Sequence, residues 1–217
     1  MSTKRREIIK ISSLLMSDKG YIDTSLNDIL EQAGIGKGQF YHYFSSKHDL
    51  GSAVIDDCFD FFNKKLLEEV LDSPKDPESR LEDMLDWIVA FHRRRTPGRG
   101  CFFGNMALEL SAHDELFRVR LKNVFESWAG KIEKLLHEMA ASADAGQRAD
   151  VSRRDPDEVK KFSRNIVAML EGGFLLMKNY QDLEILEEMT GTILFLVNAY
   201  KRKNDITGEK HGTPHSN

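Results

Sequence analysis

Residues 24–47 have the sequence TSLNDILEQAGIGKGQFYHYFSSK, and the apolar spacing in this block predicts two short helices joined by a glycine turn. Thr24 is the expected N-cap of the first helix. Apolar residues then follow the i, i+3, i+4, i+7 rule of a helix with one buried face: Leu26, Ile29, Leu30 and Ala33. Because Gly34 tolerates a positive φ, we expect the first helix to end there.

The second helix is predicted over Lys37–Phe44, where Phe40 and Phe44 share one face. Its remaining faces carry polar and aromatic side chains. Three apolar residues upstream mark an amphipathic helix that completes a three-helix unit: Ile8, Ile11 and Leu15. This arrangement is typical of a helix-turn-helix whose second helix contacts DNA.

The composition limits how the chain contacts nucleic acid. Its 217 residues are 41% hydrophobic and 30% charged, enough for one sizeable core or for a small domain beside a larger one. The 31 Lys and Arg are outnumbered by 35 Asp and Glu, which gives a net charge of -4. Bulk positive charge therefore does not attract nucleic acid, and any DNA contact must be local.

Other features exclude several classes of protein. Two cysteines, Cys58 and Cys101, are too few for a disulfide framework, which favours the reducing cytoplasm. Apolar runs such as Ile193–Val197 are far shorter than a membrane span, so we expect no contact with membranes. No catalytic motif, nucleotide-binding motif or metal-binding histidine spacing is present, and we expect no enzyme activity, metal or cofactor.

An all-α fold is expected, because β-branched alternation is nearly absent and the five prolines leave long uninterrupted stretches. We predict an N-terminal three-helix helix-turn-helix domain over residues 1–50. A larger helical domain for ligand binding and dimerisation follows over residues 51–203. Residues 204–217 are expected to form a disordered tail.

Four motifs resemble the signature of the tetracycline-repressor (TetR/AcrR) family: Thr24–Ile29, Ala33–Ile35, Lys37–Phe44 and Lys47–Leu50. The resemblance is strong over about residues 5–60 and architectural beyond them. Gly36 stands where the family usually has serine, which removes a side-chain cap, and Leu30 replaces a common small residue. The resemblance implies a dimeric regulator whose two recognition helices contact the half-sites of a near-palindromic double-stranded operator.

Groove chemistry and the resemblance together give a set of predicted DNA contacts: Thr24, Ser25, Lys37, Gln39, Tyr41, His42, Tyr43 and Lys47. Lys37 and Gln39 can reach base edges in the major groove. The helix N-termini near Ser25 and Lys47 would hold phosphates. The alternative is that Tyr41 and Tyr43 pack the domain and that the lysines are only solvated.

The larger domain is expected to hold a cavity for a small apolar or aromatic inducer. Its candidate lining residues are aromatic, methionine or amide side chains: Trp87, Phe91, Phe102, Asn105, Met106, Phe125, Trp128, Met169 and Phe174. Asn105 and Glu109 occur in an apolar segment, where a buried polar group is costly unless it is paired. Each is therefore hydrogen-bonded in the core or turned to a ligand.

Two charged or reactive features near this segment allow more than one interpretation. Cys101 is a possible redox or electrophile sensor if Arg99 lowers the pKa of its thiol, and otherwise a small buried apolar residue. A basic cluster occurs at a predicted helix end: Arg93, Arg94, Arg95 and Arg99. These side chains face water, where the helix dipole favours them, or bind DNA or an anionic ligand.

The last two helices are apolar on nearly all sides, so we expect them to bury two surfaces. The resemblance implies that they form a four-helix bundle with a second subunit. The predicted interface residues are Ile166, Leu170, Gly173, Phe174, Met177, Ile193, Leu196 and Tyr200. The alternative is a monomer with an unusually large core.

The sequence as a whole predicts a ligand-responsive, homodimeric transcriptional repressor that a small-molecule inducer releases from DNA. One alternative is a helical small-molecule-binding or redox-sensing protein with weak or no DNA binding. A small helical enzyme dependent on Glu109 or His92 is a further class, and the sequence does not favour it.

Overall fold

The computed structural model describes residues 2–95, 99–144 and 155–207. Within these ranges all regular secondary structure is helical, which confirms the expected all-α fold. The helices in chain order are α1 (Thr3–Lys19), α2 (Leu26–Ala33), α3 (Lys37–Tyr43), α4 (Lys47–Phe62), α5 (Pro77–Arg93), α6 (Phe102–Leu110), α7 (Glu115–Asp144), α8 (Pro156–Tyr180) and α9 (Glu184–Thr207). Helix α4 continues directly into a short π-helical segment, Asn63–Glu68.

The C-terminal limit of the structure differs from the expectation. Helix α9 continues to Thr207, so residues 204–207 are helical rather than part of a disordered tail. The remainder of the predicted tail, residues 208–217, lies outside the described residues.

Helices α1 to α3 and the start of α4 enclose a small core of their own. Its buried members are Ile8, Ile9, Met16, Ile29, Leu30, Ala33, Phe40, Phe44, Leu50 and Val54. Val54 still belongs to this core, whereas Ile55 packs in the next cluster. The predicted boundary after residue 50 therefore falls inside α4, a continuous helix that connects the two parts of the molecule.

Local hydrogen bonds fix the turn that precedes the recognition helix. Ser25, rather than the predicted Thr24, caps α2: its Oγ accepts from Asp28 N at 3.1 Å, and its backbone N–H donates to Asp28 Oδ2 at 2.7 Å. Gly34 ends α2 with φ at 59°, as predicted. Gly36 stands at the N-cap of α3 and offers no side-chain cap.

The larger core lies between α5, α7, α8 and α9. Its buried apolar side chains include Trp128, Ile132, Ile166, Leu170, Phe174, Met177 and Ile193. A third cluster joins this core to the N-terminal unit, with Ile55, Phe103, Met106, Leu110, Phe117, Leu121 and Val124. The two units therefore share one packed contact region.

Several residues predicted for the dimer interface face the interior of their own chain. Ile166, Leu170, Met177 and Ile193 are all 0% exposed, so assigning them to a subunit contact was wrong. Helix spacing marks apolar positions but does not distinguish an inward face from an outward one. Phe174 is also buried, and Gly173 allows α9 to approach closely, since a Cβ there would lie 3.3 Å from Met189 Cβ.

Leu196 and Tyr200 are half-buried on α9. The Tyr200 ring stacks on Phe162 of α8, with centroids 4.4 Å apart. The predicted interface set therefore contributes mainly to packing between α8 and α9 of one chain.

Candidate nucleic-acid interface and ligand cavity

Helix α3 presents a polar face that the rest of the domain leaves exposed. Phe40 is buried and anchors the helix, while Phe44 follows it in extended backbone and is also buried. Four predicted DNA-contact residues lie on the exposed part of the helix: Lys37, Gln39, Tyr41 and His42. Tyr41 is 56% exposed, and one edge of its environment is the buried Phe40 ring, with the two ring centroids 5.3 Å apart.

The other predicted DNA contacts have different environments. Thr24 is 0% exposed, and its hydroxyl donates to Gly20 O at 2.6 Å, so its side chain is not available to DNA. Ser25 remains exposed at the start of α2. Tyr43 is half-buried against the small core. Lys47 donates to Ile22 O at 3.2 Å, and burial lowers the pKa of its ammonium.

The larger part of the molecule contains a cavity of about 330 Å³. Four predicted lining residues are present in its wall: Trp87, Phe91, Phe102 and Phe174. The Trp87 and Phe91 rings stack with centroids 5.0 Å apart and planes 11° apart. The wall is therefore mainly aromatic, and it is formed by side chains from α1, α4, α5, α6 and α8.

A second cavity, about 380 Å³ in volume, shares the lining residues Cys101 and Phe174 with the first. The predicted residues Asn105 and Phe125 line it, together with Gly104 and Glu171. Asn105 is already paired, because its Nδ2 donates to Arg99 O at 2.7 Å and its Oδ1 accepts from Lys178 Nζ at 3.2 Å. These hydrogen bonds support the interpretation that Asn105 is paired within the fold, rather than the interpretation that it is turned to a ligand.

Burial controls the charge of the groups around the first cavity. Burial and the nearby Arg95 charge lower the pKa of His92 to about 4, so the imidazole is neutral at pH 7. Burial and Asp57 raise the pKa of the Cys58 thiol to about 12. Burial, followed by the charge of Glu171, raises the pKa of the Cys101 thiol well above its ordinary value.

These surroundings do not support the predicted activation of Cys101. Arg99 instead pairs with Asp18, with Nε 2.5 Å from Oδ1. The Cys101 sulfur accepts from Gly104 N at 3.5 Å at the start of α6. The thiolate is therefore disfavoured, which supports the alternative interpretation of Cys101 as a small buried residue rather than a sensor activated by Arg99.

Helix α6 connects the cavity to the helix-turn-helix unit. Its first residues, Phe102 and Phe103, line the first cavity. At its other end, Glu109 Oε2 accepts from Ile22 N at 2.9 Å, in the loop between α1 and α2. The His48 ring, close by on α4, lies 2.8 Å from Asp114 Oδ2. One short helix thus contacts both the first cavity and the helix-turn-helix unit.

Both parts of the chain match described families of regulators. Residues 8–54 match "Bacterial regulatory proteins, tetR family", and residues 77–191 match "Transcriptional regulator LmrA/YxaF-like, C-terminal domain". The chain belongs to the TetR family. It is a helix-turn-helix transcriptional regulator.

Individual TetR-family proteins are similar over most of the chain. An uncharacterized HTH-type transcriptional regulator in the lacX 3' region of Lactococcus lactis is 37% identical over 84% of this chain and 87% of its own length. The HTH-type transcriptional repressor DhaR of Mycobacterium sp. strain GP1 is 28% identical over 88% and 90%. The crystal structure of regulatory protein TetR from Rhodobacter sphaeroides superposes with a TM-score of 0.74 and 28% identity, covering 89% of this chain and 98% of that one.

The family also indicates which partners such proteins have. TetR-family regulators bind DNA and act as dimers. In the described part of this TetR-family chain, none of the helices has the length and apolar character needed to cross a membrane.

Three residues predicted to line the TetR-family cavity do not do so. Met106 and Trp128 are 1% and 3% exposed inside packed clusters. Met169 is half-buried and packs against the larger core. Since a cavity wall and a core have the same apolar composition, residue type alone did not separate these three positions from the true wall.

Sequence reasoning also missed part of the cavity wall. One side is formed by α4 through Asp57, Cys58, Phe61 and Phe62. Asp57 and Phe61, like Cys58 and Phe62, are four residues apart and so share one helix face. This spacing, just after the recognised motif, is the sequence signal that could have identified them. Arg95 was predicted only within a basic cluster, although it lines the cavity as well.

Proposed function

We propose that this TetR-family regulator is a homodimeric repressor that a small apolar or aromatic molecule releases from a palindromic operator. The observation that carries the proposal is the free face of α3. Lys37, Gln39, Tyr41 and His42 are exposed there on a helix anchored by Phe40. A helix of this kind can enter the major groove, where side-chain donors and acceptors meet base edges.

The proposed dimer contact uses the outward faces of α8 and α9. Phe195 of α9 is 72% exposed, and Leu175 and Leu176 of α8 are 55% and 40% exposed. Gly172 of α8 and Gly191 of α9 have no side chain, and nothing lies within 4 Å of a Cβ placed at either one. A helix from a second subunit therefore has room to approach the backbone at these positions. An exposed apolar surface of this kind is typical of a subunit interface.

The first cavity is the proposed inducer site, and α6 is the proposed connection to the operator. A ligand between Trp87 and Phe102 would contact the start of α6. The far end of the same helix holds the loop before α2 through Glu109. A ligand that binds better to one placement of α6 therefore shifts the population of helix-turn-helix positions and changes operator affinity.

The test is a selection of bound duplexes from a random DNA pool with the purified protein. We expect a palindromic motif to be enriched, because a two-fold protein fits a two-fold site. The Lys37→Ala/Gln39→Ala variant should lose the motif and bind the selected duplex at least roughly tenfold more weakly, since a base-edge contact contributes about 1–3 kcal/mol. Lys122→Ala removes an exposed charge outside the helix-turn-helix unit and should leave the motif intact. Enrichment of no motif, or the same motif with the double variant, would contradict the proposal.

A further inference from the structure

We propose that the first cavity binds an organic acid, with an aromatic or apolar body against Trp87 and Phe91 and a carboxylate on the Arg95 guanidinium. This inference rests on the proposed function, in which the same cavity is the inducer site, and it adds the chemical class of the inducer.

Arg95 is a half-buried cation in the wall of this cavity. Its guanidinium carbon lies 4.8 Å from the centroid of the Phe91 ring. No carboxylate among the described residues lies within ion-pair distance of it. Other arginines of the chain do have such partners: Arg80, Arg93, Arg99, Arg118, Arg120 and Arg164.

Arg95 loses hydration on folding and gains no direct ion-pair partner among the described residues. Burial lowers the pKa of its guanidinium and the charge of Arg99 adds to this effect, while the charge of Asp18 opposes it. The aromatic face of Phe91 compensates only in part for lost hydration. A carboxylate would supply both a counter-charge and two acceptor oxygens in the planar geometry that guanidinium recognises.

Among the polar groups that form this wall, Arg95 supplies the positive charge for an anion. His92 is neutral at pH 7, and both cysteine thiols are protonated. The Ser13 hydroxyl donates to Lys10 O at 2.9 Å, and the Ser17 hydroxyl donates to Ser13 O at 2.7 Å. Both hydroxyl protons are therefore already used within α1.

One charge in the wall opposes an anion and restricts its position. Asp57 of α4 also lines the cavity. Asp57 raises the pKa of the Cys58 thiol, whereas Arg95 lowers it. Both charges therefore lie close enough to this thiol to influence its pKa. A bound carboxylate should therefore lie toward Arg95 and away from Asp57.

The size of the cavity agrees with a small acid. A volume of about 330 Å³ is at the lower end of the range for small-molecule sites. The stacked Trp87 and Phe91 rings provide a flat apolar wall beside the guanidinium. A phenyl ring joined to a carboxylate by a short chain can contact both.

The test compares 3-phenylpropanoate with 3-phenylpropanamide, which has nearly the same shape and no charge, by calorimetry on the full chain at pH 7. We expect the acid to bind roughly ten- to a hundredfold more tightly, as a charge-assisted hydrogen bond predicts. Arg95→Gln should remove this preference, and Arg95→Lys should keep part of it. Arg94→Gln changes an exposed neighbour and should keep the preference fully. Asp57→Asn should tighten binding of the acid and leave binding of the amide unchanged.

Equal binding of acid and amide, or an acid preference that survives in a folded Arg95→Gln protein, would overturn the inference. Failure of both compounds to bind the wild-type protein would also overturn it. These outcomes are separate from the proposed function, because operator selection needs no ligand. An amide that releases the selected duplex while the acid does not would keep the cavity as the inducer site and reject only the acid.

Discussion

At the residue scale, Glu171 of α8 carries a largely buried carboxyl group. Its Oε1 is buried and has no hydrogen-bond partner within the described ranges, while the Cys101 thiol contacts the same carboxyl group. Burial raises the pKa of Glu171 to about 7 from an ordinary value of 4.5. The folded protein therefore retains this proton at pH values where the unfolded chain has released it.

The pH dependence of stability follows from this difference. The contribution of Glu171 is fully present below about pH 4.5 and is lost as the pH rises through about 7. Glu171→Gln should therefore match the wild-type protein near pH 4 and exceed its free energy of unfolding at pH 8 by up to about 3 kcal/mol, at about 1.4 kcal/mol per pKa unit. Urea unfolding at the two pH values measures the difference.

His92 has the opposite effect, because its lowered pKa costs stability as the pH falls from about 6.5 toward 4. It is unchanged in both proteins, so the comparison isolates Glu171. Glu82→Gln on the exposed side of α5 is the matched control and should follow the wild-type profile. An equal gain from Glu171→Gln at pH 4 and pH 8 would show that the carboxyl is not held neutral.

At the scale of elements, Glu109 gives α6 a hydrogen bond to the helix-turn-helix unit. Glu109→Ala removes the acceptor of the Ile22 amide. We expect that amide to exchange with deuterium roughly fivefold faster, since a net hydrogen bond contributes about 1 kcal/mol. Glu109→Gln retains an acceptor oxygen and should exchange more slowly than the alanine variant. Hydrogen exchange followed by mass spectrometry resolves the peptide, and identical rates in all three proteins would rule out this connection.

Among the helices, the helix-turn-helix could be predicted from the sequence, whereas the inward and outward faces of the later helices could not. The helix-turn-helix was predictable from local signals, since Gly34 and the Phe40/Phe44 pair act within a few residues. In a helix with apolar residues on several faces, which of those side chains point inward depends instead on packing partners far away in the sequence. Ile193 and Phe195 are both apolar residues of α9, yet one is 0% and the other 72% exposed. The cavity wall had the same difficulty, because Trp87 borders empty volume and Trp128 borders other side chains.

At the scale of the whole molecule, the proposed dimer requires that Phe195 be covered by a second copy. Phe195→Glu would place a charge at a contact that excludes water, so we expect the protein to sediment as a monomer. Leu14→Glu is the control, because Leu14 is also an exposed apolar residue, at 49%, but lies on α1. Sedimentation velocity distinguishes the two, with circular dichroism to verify folding. A dimer that persists in a folded Phe195→Glu protein would place the interface elsewhere.

The weak start of α3 has a consequence for how such a protein diversifies. A helix of seven residues without a side-chain cap has little stability of its own. Its order comes from Phe40 and Phe44, which lie in the core. Lys37, Gln39 and His42 are exposed and lie outside that core. With the DNA contacts proposed above, descendants of this gene can exchange these three side chains and acquire new operators without losing the fold, so that target choice and foldability evolve separately.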